Sequence, residues 1–536
     1  MEPTPTIAVA STCGHNPIML AASAIVFGVS FALYSLTIVA VGLYSSRFAR
    51  KSDEDYFLAG RSLGKWVAAL SASASSESGW VTIGLVGWAF ASGVQAYWII
   101  PGCLFGYAFN WFFVAGRMND RARELGAVTL PDFFCFHFKE RTPILRCLSV
   151  AVILVAMLLY VAAQFSAAGK AFDASFDGMQ YWHGVVLGGL IVLVYTVTGG
   201  FRAACWTDFL QALLMVAVLV VFPISLMFGD SGYGYVFERL EEIDPALVEW
   251  IPSSAKAGVI AFGGFLLGSG ALGINFGYPG QPHVLIRFMA LRSRKEAAGA
   301  GVIAIVWGAM VYWGAVTVGL MVRAIAVEGG PEWAAPLVGA GEQLAGEKGL
   351  ILAAKNLIPG VFSGAVLAAV LAAICSTADS QLVVAGSAGS NDLYTRIVAT
   401  KKKTAHMLVN RLVILALGVI AMLLVIDKDQ DIKVYEYVLE YGWAILGASF
   451  GPQLILVLFW KRASYRGCIW GMATGFAVAI LAKIFAAEIA EIAGVKVYNL
   501  PLAFMCALIV NVVVSLLNSD RPDMAAPSSQ MGVRGS

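Results

Sequence analysis

Long apolar blocks separated by short polar connections dominate the pattern of hydrophobic and polar positions along the chain. Residues 18–44 and 259–276 are two such blocks. A helix needs about 20 mostly apolar residues to cross the hydrocarbon core of a bilayer. The pattern predicts about 13 spans, numbered here in chain order, at 18–45, 66–92, 97–118, 144–172, 182–199, 203–228, 257–282, 297–326, 358–386, 406–427, 436–460, 466–487 and 497–518.

The composition agrees with this pattern. The chain is 59% hydrophobic and 13% charged, whereas soluble domains carry about 25% charged residues. We therefore expect an all-α polytopic membrane protein in the cell membrane, whose partners are the lipid bilayer and a small solute. The net charge of +2 gives no reason to expect nucleic acid, and no obligate protein partner is evident. Five dispersed histidines and eight single cysteines predict neither a metal centre nor an enzyme.

Basic residues predict the orientation. If the connections after odd-numbered spans lie on one side together with the C-terminus, that side carries 26 of the 36 Lys and Arg. The positive-inside rule makes this side cytoplasmic. Residues 1–17 are then a short extracellular N-terminus, and 519–536 form a cytoplasmic tail whose Pro/Ser-rich composition predicts disorder. The acidic connections 229–256 and 327–357 are expected to carry short surface helices.

Two spans contain polar or helix-breaking residues where a lipid-spanning helix has reason to be uniformly apolar. The second span has a run of small and hydroxyl residues that includes Glu77, and the seventh has glycines followed by Pro279 and Pro282. Because these spans are five apart, an inverted repeat of five plus five helices accounts for both breaks. Close helix packing through small residues is the alternative, but it explains neither Glu77 nor the two prolines.

The ninth span carries a polar stripe. Ala373, Ser376, Thr377 and Ser380 follow the spacing i, i+3, i+4, i+7 and share one helix face, with Asp379 at its edge. Oxygen ligands of this kind suit a hard cation, although Ser and Thr hydroxyls also bond to the preceding helical turn. The stripe as a whole favours a cation site.

Two further charged residues have simpler interpretations. Asp208 opens the sixth span, where it serves either as a cap that complements the helix dipole or as part of an ion relay. Lys170 lies near the end of the fourth span, where its side chain is expected to reach the membrane interface.

At these and other positions the sequence resembles the sodium/solute symporter family, and within it most closely the bacterial proline/sodium symporters. The resemblance covers residues 53–462, and its motifs occur in order along the span pattern. The matching segments are Asp55-Tyr56, Gly60 to Gly64, Ser78-Gly79-Trp80, Leu130 to Phe134, Tyr195-Thr196, Gly199 to Phe201, Trp206 to Asp208, Gly280 to His283, Ser376-Thr377 and Asp392 to Tyr394.

The resemblance implies a LeuT-type fold with a ten-helix core at 66–460, one extra helix at 18–45 and two additional helices at 466–518. It implies a sodium-coupled symporter that imports a small organic solute by alternating access. L-Proline is the leading candidate for this solute. Another amino acid, pantothenate, a monocarboxylate or a sugar, with sodium or proton coupling, is the alternative within the fold. A transporter-like membrane sensor is the alternative of another class.

The family's functional residues match positions of this chain. Sodium would be held by the backbone carbonyls of Ala74, Glu77 and Ala373 and the hydroxyls of Ser376 and Thr377. A second cation site, present in some members, would use Asp208, Ser376, Asp379 and Ser380. Solute contacts would come from Ser78, Trp80, Tyr160 and Tyr278, and Arg61 matches an important cytoplasmic-side arginine.

The chain departs from the proline symporters at two positions. Those proteins place an Asp before a Met where this chain has Ser76-Glu77, which shifts the carboxylate by one residue and puts the coupling ion in question. Ile274 stands where they carry a Trp in the solute pocket, so we expect a larger or differently shaped pocket.

Overall fold

A computed structural model describes residues 53–140, 142–228, 232–338, 343–398, 403–428, 432–493 and 496–518, with scattered positions between 28 and 41. The predicted extracellular segment 1–17, the predicted tail 519–536 and most of the predicted first span lie outside the described residues.

The described part of the chain contains nine helices that are long and apolar enough to cross a membrane. Several apolar side chains on these helices are exposed, including Phe105, Val221 and Leu423, as expected for surfaces that face lipid. The nine helices are Trp80–Leu125, Ile144–Ser175, Gly200–Met227, Glu296–Ile325, Gly360–Thr395, His406–Val425, Val434–Phe459, Tyr465–Ile484 and Asn499–Leu517.

The 46-residue stretch Trp80–Leu125 is too long for a single crossing. As one straight helix it would be roughly 69 Å long, about twice the thickness of a bilayer core. Gly93 has φ +71°, a conformation that glycine adopts without strain, and the chain turns there. The Tyr107 hydroxyl returns to within 3.0 Å of Glu77 Oε1. The predicted second and third spans are therefore separate elements.

A second glycine separates the predicted fifth and sixth spans. Tyr181–Met227 is helical except at Gly200, whose φ of 67° and ψ of 177° interrupt it. The segment after this residue, Gly200–Met227, is long enough to cross a bilayer, and an apolar helix, Tyr181–Val194, precedes it.

The second and seventh spans are both broken. The first half of the second span is Lys65–Ser76, and its second half covers 80–92, after Glu77, Ser78 and Gly79. The seventh span has a first half, Val259–Leu266, a 3-10 segment, Leu272–Gly280, and a second half, Pro282–Ala290. The predicted end of this span at 282 was wrong because Pro282 starts a helical turn instead of ending one.

The two broken spans meet at their predicted cytoplasmic ends. Leu63 and Leu291 form a parallel bridge. The Leu63 N–H donates to the Ala290 carbonyl at 3.1 Å, and the Arg292 N–H donates to the Leu63 carbonyl at 2.9 Å. Backbone hydrogen bonds therefore join the start of the second span to the end of the seventh.

The long connections contain short helices, as predicted. Between the sixth and seventh spans these are Tyr233–Ile243, Pro245–Val248 and Ser253–Ala257. Between the eighth and ninth spans they are Glu332–Leu337, Gln343–Gly346 and Gly349–Leu357. Other short helices are Asp53–Leu58, Leu130–His137 and Ala486–Ala493.

The expectation that Lys170 reaches the membrane interface was wrong. Its ammonium group is buried and donates to Glu347 Oε2 at 2.5 Å and to the Ile432 carbonyl at 2.6 Å. Glu347 Oε1 also accepts from the Val434 N–H at 2.7 Å. The ion pair therefore joins the fourth span to the connection before the ninth span and to the start of the eleventh.

The approach of the third span to the seventh can be tested at Gly102. A Cβ atom there would lie 2.0 Å from the Ala271 carbonyl oxygen, which belongs to the backbone of the broken seventh span. We expect Gly102→Ala to destabilise the protein by about 1–3 kcal/mol because the backbone must shift. Thermal unfolding in detergent measures this loss. Gly263→Ala is the matched control, since a Cβ there meets nothing within 4 Å, and an equal loss in both variants would contradict the packing.

Candidate functional site

The break in the second span exposes backbone oxygens that the ninth span covers. The helix ends at Ser76, so the Ala74 carbonyl has no partner four residues later in its own helix. Ser376 Oγ donates to the Ala74 oxygen at 2.8 Å and Thr377 Oγ1 does so at 3.3 Å. Ser376 Oγ also lies 3.1 Å from the Ala373 oxygen. Four predicted cation ligands thus meet at one buried place: Ala74 comes from the second span, and Ala373, Ser376 and Thr377 lie on the predicted face of the ninth span.

The other side of the break is also held by side chains. Gln164 of the fourth span accepts from the Gly79 N–H at 3.0 Å, and Ser78 Oγ accepts from the Trp80 N–H at 3.2 Å. The Trp80 indole N–H donates to the Ser76 carbonyl at 3.0 Å. These bonds satisfy backbone groups that a membrane interior would otherwise leave unpaired.

Glu77 lies in the break with its side chain fully buried. Its Oε1 accepts from the hydroxyl of Ser76, from Tyr107 at 3.0 Å and from Tyr278 at 3.3 Å. Within the described part of the chain, no ion pair involves this carboxyl group. Hydroxyl groups surround Glu77, but no Lys or Arg among these residues balances its charge.

Buried aromatic rings pack next to Glu77. Trp80 lies 6.1 Å from Tyr312 and 5.9 Å from Tyr435, between ring centroids, and Tyr278 meets Trp443 edge-on at 4.7 Å. The Trp443 indole N–H donates to the Ile274 carbonyl at 3.1 Å. An indole from the eleventh span therefore lies beside the position where the proline symporters carry a Trp.

Tyr160 lies on the fourth span, and its ring contacts the ring of His283 edge-on at 5.8 Å. Tyr160 and His283 are both buried. The four predicted solute residues Ser78, Trp80, Tyr160 and Tyr278 are thus all buried, and Ser78 and Trp80 lie at the break itself.

Asp208, which was predicted for a second cation site, forms a buried ion pair with Arg287, which was not. Asp208 lies within Gly200–Met227 rather than at a helix start, so the interpretation as a helix cap was wrong. Its Oδ2 accepts from Arg287 Nη2 at 2.8 Å, from Ser71 Oγ at 2.7 Å and from Ser75 Oγ at 3.1 Å. Asp379 Oδ1 accepts from Ser380 Oγ at 3.1 Å.

Arg61 lies outside this centre, near the bridge between the two broken spans. It pairs with Glu54 and donates to the carbonyls of Ala127 at 2.8 Å and Met289 at 3.3 Å. Arg123 donates to the Leu291 carbonyl at 2.6 Å. These guanidinium groups fasten the predicted cytoplasmic ends of the helices.

A cavity of about 420 Å³ lies at the other ends of the broken spans. Its lining includes Trp88, Phe265, Ser269 and Tyr498. Trp88 stacks on Tyr435 with 5.0 Å between ring centroids, and Tyr435 contacts Trp80 in turn. Two aromatic layers therefore separate the cavity from the break.

Sequence reasoning missed Arg287, Trp443 and Gln164 as members of the site. Arg287 counted only as a basic residue for the orientation, although the sequence places it four residues after His283, on one face of a possible half-helix. Trp443 and Gln164 are single polar or aromatic residues in apolar spans, and their spacing gives no signal of contact with the second or seventh span.

Comparisons with known proteins agree with this architecture. Residues 56–475 match the sodium:solute symporter family. The sodium/proline symporter of Staphylococcus aureus (strain USA300 / TCH1516) is 32% identical over 495 residues, which cover 91% of this chain and 92% of the relative. The same protein of strain JH9 is equally similar.

Two solved structures share the fold. The substrate-bound outward-open state of a Na⁺-coupled sialic acid symporter aligns with a TM-score of 0.73 at 20% identity, covering 92% of this chain and 98% of that one. MhsT in complex with L-phenylalanine aligns with a TM-score of 0.50 at 14% identity, covering 84% of this chain and 97% of that one.

The helices and these likenesses confirm an all-α polytopic membrane protein with a LeuT-type fold. The protein is a multi-pass plasma-membrane transporter and not an enzyme. The chain belongs to the sodium:solute symporter family, and Na⁺ is its coupling ion.

Proposed function

We propose that the protein imports L-proline together with sodium by alternating access. The observation that carries the proposal is the meeting of the Ser376 and Thr377 hydroxyls with the Ala74 carbonyl across the break. The name of the relatives at 32% identity, sodium/proline symporter, supports the choice of solute.

The sodium ion would be held by the backbone oxygens of Ala74, Glu77 and Ala373 and by the hydroxyls of Ser376 and Thr377. Hard cations prefer such oxygen ligands. The two hydroxyls now donate to backbone oxygen, and they can rotate to turn their lone pairs toward an ion. Because the ligands come from two spans, a bound ion would bridge the second and ninth spans.

The charge of Glu77 favours a zwitterionic solute. A buried carboxylate is costly unless an opposite charge approaches it, and the ammonium group of an amino acid provides one. A simple monocarboxylate would add a second negative charge next to Glu77, and a sugar would leave the existing charge unbalanced. The rings of Trp80, Tyr278 and Trp443 would contact the apolar part of proline, while Tyr160 and Ser78 border the site.

The contacts at the predicted cytoplasmic ends suit a state in which the two broken spans are held together on that side. Arg61 and the Leu63–Leu291 bridge join them there, and cavities of about 420 Å³ lie near both ends of these spans. Sodium binding would stabilise this state, since a ligand shifts the population toward the state that it binds better. One charge moving across 100 mV supplies about 2.3 kcal/mol.

This proposal includes the predicted organisation: an N-terminus outside, a C-terminus inside, a core at 66–460, an extra helix at 18–45 and two helices at 466–518. The two broken spans support this division, since they lie at equivalent places in the two halves of the proposed core.

Uptake by proteoliposomes tests the solute. We expect accumulation of labelled proline when sodium is present outside, and none when choline replaces sodium. Excess unlabelled proline should abolish the signal, whereas pantothenate, a monocarboxylate and a sugar should leave it unchanged. Uptake that is blocked by one of these other solutes and not by proline would contradict the assignment.

Ser376→Ala tests the sodium site. Removal of one oxygen ligand should raise the sodium concentration for half-maximal uptake by about tenfold, or about 1.4 kcal/mol, because hydrogen bonds and ligands to charged groups contribute about that much. Ser387→Ala is the matched control. It removes a buried hydroxyl of the same helix that bonds only within that helix, to Val384 at 2.8 Å, and equal effects would argue against a local ion site.

Glu77→Gln tests the attraction between the carboxylate and the solute. Loss of one partner of a buried charge pair costs about 2 kcal/mol or more, so the Kd for proline should rise by about 30-fold or more. Binding of labelled proline at saturating sodium measures this change. A Kd for proline that stays within twofold of the wild-type value would contradict a role of Glu77 in solute binding.

A further inference from the structure

Arg287 is a fully buried arginine in the core of the transporter. It lies on the second half of the seventh span, Pro282–Ala290, and its guanidinium carbon lies 5.1 Å from the centre of the Phe201 ring. A charged side chain in such a place is costly unless it is paired, so its partners indicate its role.

Three polar side chains from three other spans accept hydrogen bonds from the guanidinium. Nη2 donates to Asp208 Oδ2 at 2.8 Å and to Ser380 Oγ at 2.6 Å. Nε donates to Ser71 Oγ at 3.1 Å, and Nη1 donates to the His283 carbonyl of its own helix. The positive charge therefore lies between the second, sixth and ninth spans.

These acceptors include residues that the sequence predicted for a second cation. Asp208 and Ser380 belong to that set of four, and Ser380 also donates to Asp379, another member, at 3.1 Å. Ser75 lies 3.0 Å from Ser380 and 3.1 Å from Asp208. A cation is thus present among these oxygens, but it is covalently attached to the protein.

We propose that Arg287 is a tethered cation that takes the place of a second sodium ion, so that the protein carries one sodium ion per solute. This inference rests on the proposed sodium-coupled uptake of proline. A free sodium ion between Asp208 and Ser380 would lie against the guanidinium, and repulsion between like charges opposes its binding. Because the arginine is not released, its charge stays with the protein through the cycle.

The other sodium site is separate from this group. Its oxygens come from Ala74, Glu77, Ala373, Ser376 and Thr377. Ser376 was predicted for both sites, but no described hydrogen bond joins Arg287 to it or to the other four. The ninth span thus presents Ser376 and Thr377 to the exchangeable ion, and one turn later it presents Ser380 to the fixed charge.

The test is the ratio of ²²Na⁺ to labelled proline taken up by proteoliposomes, together with the Hill coefficient for sodium. The wild type should carry one sodium ion per proline with a Hill coefficient of one. Arg287→Gln leaves Asp208 without its counter-charge, so both values should rise toward two. Arg287→Lys keeps the charge and should retain the wild-type values. A simple loss of packing would change rates without raising the ratio.

The double variant Asp208→Asn/Arg287→Gln removes both charges and should return the ratio to one. Arg117→Gln is a control because that guanidinium is exposed and lies over Phe459. A ratio of two sodium ions per proline in the wild type would overturn the proposal. A ratio of one in an Arg287→Gln variant that still transports proline would also overturn it. Absence of proline-dependent sodium flux in the wild type would instead contradict the proposed function.

Discussion

The structure depends on one constraint: a helix interrupted inside a membrane must have its free backbone groups satisfied by other parts of the protein. The second span ends at Ser76 and resumes at Trp80. Hydroxyl groups of the ninth span bond to the Ala74 carbonyl, and Gln164 of the fourth span bonds to the Gly79 N–H. The arrangement that stabilises the break therefore also places oxygen ligands from two spans around one point.

Two buried carboxyl groups, Glu77 in this break and Asp208 beside the helical half before it, have different surroundings. Glu77 is surrounded by hydroxyl groups, with no cation among its described partners. Asp208 lies against Arg287 and two serines. The surroundings of Glu77 lack a positive charge, which an ion or solute can supply. The surroundings of Asp208 already contain one, that of Arg287. Together they support the proposed uptake of a zwitterion with a single sodium ion.

Much of the fold follows from the sequence because hydrophobic length and helix-breaking residues are local signals. The breaks at Glu77 and before Pro282 are visible in this way, as is the hydroxyl face of the ninth span. The contacts of Arg287, Trp443 and Lys170 are not visible in the sequence. Each is a single residue whose partners lie on other spans, and only the packing of the helices determines whether its charge or ring reaches lipid, water or a buried acceptor.

The central claim is that sodium and proline bind to one coupled centre at the break. Isothermal titration of purified protein measures the Kd of proline with and without sodium, and the Kd of sodium with and without proline. Coupling between two ligands is reciprocal, so both Kd values should fall by the same factor, about tenfold or more for a coupling free energy of 1.4 kcal/mol. Proline binding that is unchanged by sodium would contradict the account.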